Sequence, residues 1–140
     1  RGNELWINGR TAAIKQKAWR KFCCDTLDHY LDIFAARVRT DVGDYQLSYR
    51  FAKARWGTCY TNRRKIIINL WCVALPPEAI EYVYCHELAH LKYANHQKEF
   101  YDRLGEILPD YKTGLKLSKT FKNRAFESFL ILRLYSFTET

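Results

Sequence analysis

The sequence predicts an α+β domain: one long N-terminal helix, a small antiparallel sheet of about three strands, and a helix followed by a second, C-terminal helix. Three observations predict it. Apolar residues recur at helical spacing from Thr11 to Val38. Three short extended segments crowd between Tyr45 and Trp71, one of them with a β-branched run. Pro76-Pro77-Glu78 then opens a helical stretch, and another ends before Pro109.

Asn8-Gly9 marks a turn, so residues 1–10 read as a lead-in. Within the first helix, Phe22, Cys23, Leu27, Tyr30, Leu31, Phe34 and Val38 fall at three- and four-residue steps, as one buried stripe requires. His29 reads as a partly exposed structural residue there. Asp41-Val42-Gly43-Asp44 ends that helix. Tyr45 to Phe51 alternates like a half-buried strand. Arg55 to Tyr60 and Lys65 to Trp71 are joined by the polar turn Thr61-Asn62-Arg63-Arg64, and Ile66-Ile67-Ile68 is strongly strand-forming. Proline suits a first helical turn and Glu78 complements the dipole, so a helix is expected from Pro77 to about Ala94. A second starts near His96 or Gln97. Beyond residue 110 the pattern weakens, and one further helix is expected across Phe121 to Leu134. Residues 11–118 thus form one domain, and residues 119–140 are a C-terminal extension.

A chain of 140 residues suits one domain with a modest core. With 48% hydrophobic and 16% aromatic residues it falls outside the disordered class. No apolar run approaches the ~18–20 residues of a membrane-spanning helix. The chain starts at Arg1 and holds no methionine, so a truncated N-terminus is expected. Lys and Arg outnumber Asp and Glu by 23 to 15, a formal charge of +8. That balance suits an anionic partner such as nucleic acid, a nucleotide or an acidic peptide. The basic residues are scattered, however, without the interleaved aromatics of a nucleic-acid module. Cys23, Cys24, Cys59, Cys72 and Cys85 form no C-x-x-C pair and are odd in number. They point to reduced, packed thiols in a cytoplasmic protein and away from a disulfide scaffold.

The chemistry concentrates in His86-Glu87-Leu88-Ala89-His90. Histidines four residues apart on a helix lie about 40° apart on neighbouring turns and can share one zinc ion at ~2.0–2.1 Å. Glu87 projects about 100° further round, where it misses the metal but reaches a water bound to it. That is the geometry of a general base. Ile80, Tyr84, Leu88 and Leu91 form a core stripe beside the histidines. A catalytic zinc site needs a third protein ligand. In an unbroken helix His96 would lie about 9 Å beyond His90 and about 120° round, so the helix must stop before it. Asn95 tolerates the left-handed conformation that ends helices, and a turn at Ala94-Asn95 is expected. Glu99 is the alternative third ligand.

These residues belong to a larger pattern. Arg55-Trp56-Gly57-Thr58-Cys59, Ile66 to Asn69, Tyr82-Val83 before the H-E-x-x-H segment, Asn95-His96 with Phe100, and Pro109-Asp110-Tyr111-Lys112 resemble, in order and spacing, the YgjP-like metallopeptidase family. The resemblance covers roughly residues 35–117. It implies a zincin-like domain, Zn(2+) bound by His86, His90 and His96, a catalytic Glu87, and a peptide or protein substrate. It also implies that the strand after Arg55-Trp56-Gly57 lies along the active-site helix. An edge strand there takes an extended substrate by strand addition, and Ile66 to Leu70, centred on Ile68, is the expected one. Arg55, Tyr93 and Tyr101 are the candidate donors to a developing oxyanion. Thr58 and Gln97 stand where the family commonly has serine, and residues after Lys119 have no counterpart in it. Two alternatives stay open: hydrolysis of a non-peptide bond such as a nucleotide phosphoanhydride, and a DNA-associated protease of the SprT or WLM type.

Overall fold

Helix α1 spans Gly9–Arg37, close to the expected range. The structure, a computed structural model, describes residues 9–122 and the side chains of residues 17–121. Trp19, Cys23, Leu27, Leu31 and Phe34 form the buried stripe of α1. Phe22, expected in that stripe, is 38% exposed because it lies one position round the helix from Cys23.

Three strands follow: β1 (Gln46–Arg50), β2 (Gly57–Tyr60) and β3 (Lys65–Asn69), in the order β1-β3-β2. β2 and β3 form an antiparallel hairpin through the turn Thr61–Arg63 and Arg64, whose φ of 49° is left-handed. β1 pairs with β3 in parallel, Gln46 opposite Lys65 and Arg50 opposite Asn69. The sheet is therefore mixed, where an antiparallel one was expected. The chain reverses between β1 and β2, but the hairpin lays β3 beside β1, so those two strands run the same way. Short alternating segments encode which face is buried and not which neighbour each strand pairs with. Ile66 and Ile68 of the central strand point into the core, at 0% and 1% exposure.

Asn69, 3% exposed, ties the crossing segment to the end of β3. Its Nδ2 donates to the carbonyls of Ala52 at 2.8 Å and Arg55 at 2.9 Å. Its Oδ1 accepts from the N–H groups of Ala52 at 3.2 Å and Trp71 at 3.0 Å. A buried amide with its donors and acceptor in use holds residues 52–55 in one place.

Helix α2 (Pro77–His90) starts as expected, with proline in its first turn and Glu78 beside it, but it ends four residues before Ala94. It packs against α1, β2, α3 (Lys98–Ile107) and α4 (Tyr111–Lys122). α3 is the expected second helix. α4 was not foreseen. The helix expected over Phe121 to Leu134 falls mostly on residues outside those described, as do most of the lead-in and residues 123–140 of the extension. α4 contains Gly114, a residue that weakens an isolated helix. A Cβ there would stand 2.4 Å from Tyr82 Cβ and 2.5 Å from the Glu78 carbonyl oxygen, so the glycine lets α4 close on α2. No helix among the described residues is long and apolar enough to cross a membrane.

Candidate functional site

The last two turns of α2 carry His86 and His90, and the chain then turns back to bring up His96. One ring nitrogen from each of the three lies within 4.8 Å of the others. The turn is made by the β2–β3 connection. The Thr61 hydroxyl donates to the His90 carbonyl at 2.9 Å, and Arg64 Nη1 donates to the Leu91 carbonyl at 3.5 Å. The N–H groups of Leu91 and Lys92 reach back to the carbonyls of Leu88 and Ala89 at 3.1 and 3.2 Å, tightening the last turn. Asn95 does not provide the expected left-handed stop. Among the described residues, Arg64 is the non-glycine residue with positive φ. Helix termination here is tertiary.

His90 Nδ1 lies 2.9 Å from the Tyr93 carbonyl oxygen. A carbonyl only accepts, so Nδ1 carries the proton and the Nε2 lone pair faces the cluster. That Nε2 is 2.9 Å from His96 Nε2. Burial pulls His90 below the usual histidine range, although the Tyr93 carbonyl favours the cation. Burial also lowers His96, with the His86 imidazole adding to it. Neutral imidazoles are the form that binds metal. Beneath them, fully buried Phe100 of α3 has its ring centre 5.0, 4.5 and 4.9 Å from those of His86, His90 and His96.

A divalent metal fits this donor set. Three imidazole nitrogens around a tetrahedral zinc at ~2.0–2.1 Å would sit roughly 3.3 Å apart, within the observed limit of 4.8 Å, and would leave a fourth position open. Glu87 is 4% exposed, and its Oε2 lies 3.2 Å from His86 Nδ1. The histidines and Glu87 face a cleft of about 500 Å³. Its lining also includes residues Arg55 to Cys59 and Leu115, Ser118 and Lys119 of α4.

The other expected site residues divide. Arg55 lines the cleft. Tyr93 serves through its carbonyl, and it lines a second, smaller pocket together with Glu99, which is not one of the clustered metal-binding side chains. Tyr101 is 41% exposed, its ring 6.4 Å from that of His96, and it does not line the cleft. Ile68 is buried, and β3 is paired on both sides, so Ile66 to Leu70 has no free edge for a substrate; β2 has. Three contributors were given no role at the site from the sequence, although Tyr82 and Gly57 stand in its family pattern. Tyr82, one turn before His86, is 8% exposed and lines the cleft with its ring 5.5 Å from that of His86. The 82-86-90 spacing was the available signal. Gly57 gives room to the Glu87 carboxylate, and α4 supplies part of the cleft lining.

A family model described as YgjP-like, metallopeptidase domain, matches residues 7–117. No curated protein matches the chain. Among solved structures, the chain is similar to the crystal structure of the metallopeptidase zymogen of Pyrococcus abyssi abylysin. The two share 21% identity over 71% of this chain and 90% of that one, with a TM-score of 0.49. With residues 7–117 matched, the chain belongs to the YgjP-like metallopeptidase family of metal-dependent peptidases.

Proposed function

We propose that the chain is a zinc peptidase in which His86, His90 and His96 hold the metal and Glu87 is the general base. The observation that carries this reading is the convergence of three imidazole nitrogens within 4.8 Å, with the buried Glu87 carboxylate 3.2 Å from the first of them. Bound there, zinc supplies Lewis acidity, polarising the scissile carbonyl and bringing the pKa of water toward ~7. Glu87 accepts the proton of the attacking water at its carboxylate and returns it to the leaving amine. Tyr82 takes the place of Tyr93 and Tyr101 as donor to the developing oxyanion. Burial raises its pKa above the usual tyrosine range, so it keeps its proton.

The substrate reading follows from β2. The Asn69 N–H donates to the Trp56 carbonyl at 2.9 Å. Antiparallel alternation then turns the N–H and C=O groups of Gly57 and Cys59 away from β3. Both residues line the cleft, where an extended peptide can add as a further strand. The five free cysteines support a cytoplasmic location.

Glu87→Gln tests the reading. The variant is expected to keep stoichiometric zinc and to lose cleavage of casein and model peptides. Retained turnover would remove Glu87 from its role. Running nucleoside triphosphates beside casein on the wild type separates a peptidase from a phosphoanhydride hydrolase.

A further inference from the structure

We infer that the cleft selects peptides with an acidic side chain about two residues from the scissile bond, read by Arg55 and Lys119. The inference rests on the peptidase reading above. The two cations line the same cleft from different elements, Arg55 ahead of β2 and Lys119 on α4, and both are exposed. Among the described residues, Glu87 is the one acid in the lining, and it is buried beside His86.

Several other cations are engaged elsewhere. Arg37 pairs with Glu81 and Lys98 with Asp102. Arg64 donates to the carbonyls of Val42, Asp44 and Leu91, and Arg103 to that of Asp41. Among the described residues, no carboxylate forms an ion pair with Arg55 or Lys119. Their backbones are anchored, however. Asn69 holds the Arg55 carbonyl at 2.9 Å, and α4 is seated on α2 at Gly114. These are side chains of fixed origin with unspent charge, facing a concave site that focuses their field.

The position along the groove is set by Gly57, whose backbone lies against the Glu87 carboxylate. Arg55 lies two residues before Gly57, across a bend at Trp56, so the offset is at most about 7 Å at ~3.3 Å per residue. A peptide lying along β2 therefore brings a side chain about two positions from the scissile bond to the Arg55 end of a cleft that Lys119 also lines. A carboxylate there gains attraction from both cations, and a lysine meets repulsion from both.

The test uses acetylated octapeptides that share one cleavable centre and carry Glu, Gln or Lys two positions to either side. Each is made with an amidated and with a free C-terminus. Zinc-loaded wild type should cleave Glu peptides with kcat/KM roughly tenfold or more above their Lys counterparts, amidated or not, as two exposed ion pairs would give. The ratio should collapse or invert in Arg55→Glu/Lys119→Glu. Arg55→Gln and Lys119→Gln should each lose part of it, which covers a reversal variant that does not fold. In a separate binding readout, Glu87→Gln should hold a fluorescent Glu peptide more tightly than the Lys one, with the difference shrinking as salt rises. Equal rates for Glu and Lys peptides, or a preference that survives the substitutions, overturn the inference and leave the peptidase reading standing. A preference confined to free C-termini assigns the cations to a terminal carboxylate and overturns the side-chain claim. No cleavage or binding of any peptide overturns the peptidase reading itself, and this inference with it.

Discussion

The backbone of Gly57 lies against the carboxylate of Glu87: a Cβ on Gly57 would stand 2.9 Å from Glu87 Oε2 and 3.0 Å from its Cγ. Glu87 is 4% exposed, and its carboxylate is held 3.2 Å from His86 Nδ1. Its easiest response to a methyl group is to rotate the carboxylate out of place. Gly57→Ala is therefore expected to lower kcat by about tenfold or more while zinc content and KM change little, since small misplacements of a catalytic group cost orders of magnitude. Wild-type kcat in this variant would show that the fit between the two residues does not matter to turnover.

Removing the third imidazole should release the metal. His96→Ala is expected to weaken zinc binding by more than the roughly 10–100-fold typical of losing an outer partner. Glu99→Ala should leave it unchanged, because Glu99 stands outside the histidine cluster. Metal analysis after dialysis, with thermal shifts recorded with and without zinc, reads both. Full zinc content in His96→Ala would move the third ligand elsewhere.

The same substitution should act in opposite directions at two helical glycines. At Gly114 a Cβ meets Tyr82 Cβ at 2.4 Å and the Glu78 carbonyl oxygen at 2.5 Å, so Gly114→Ala is expected to cost about 1–3 kcal/mol. At Gly105, in α3, a Cβ meets nothing within 4 Å. Gly105→Ala should stabilise by up to about 1 kcal/mol through helix propensity and a less flexible unfolded chain. Chemical denaturation of both variants checks the pair, and two shifts of the same sign would refute the close-approach account.

Cys59 lines the cleft yet should react slowly. Burial first, and the Glu87 carboxylate next, push its thiol up from 9.0 to about 11. A raised thiol pKa keeps the reactive thiolate scarce until the pH nears the raised value. At pH 8 the thiolate is about 100-fold rarer than for an unshifted thiol. Alkylation by iodoacetamide, followed by peptide mapping of zinc-free protein, should keep accelerating beyond pH 9, and Glu87→Gln should speed it. A plateau near pH 9 would contradict the shift.

What the sequence revealed and what it concealed differ in the range of the interactions involved. The stripe through Cys23, Leu27, Leu31 and Phe34, the run Ile66-Ile67-Ile68, the proline start at Pro77 and the spacing of His86, Glu87 and His90 are local patterns, and local patterns survive in a string of letters. The end of α2 does not. It depends on Thr61, 29 residues away from the carbonyl it caps, and on Arg64. α4 was hidden because Gly114 makes sense only against Tyr82 and Glu78 of another helix. The order β1-β3-β2 was hidden because Ile68 reads the same in a central strand as in an edge strand. The identity of the substrate strand fell with it, since the free edge belongs to β2.

That edge is only four residues long, Gly57–Tyr60. Arg55 stands at one end, and at the other the Arg63 guanidinium lies 5.6 Å over the Tyr60 ring. Segments that nucleate fibrils are typically about six or seven residues, flat and uncharged. A single peptide can borrow this ledge for one catalytic cycle, but another copy of the chain finds it too short and too cationic to grow on. Colloidal stability is thus built into the groove itself.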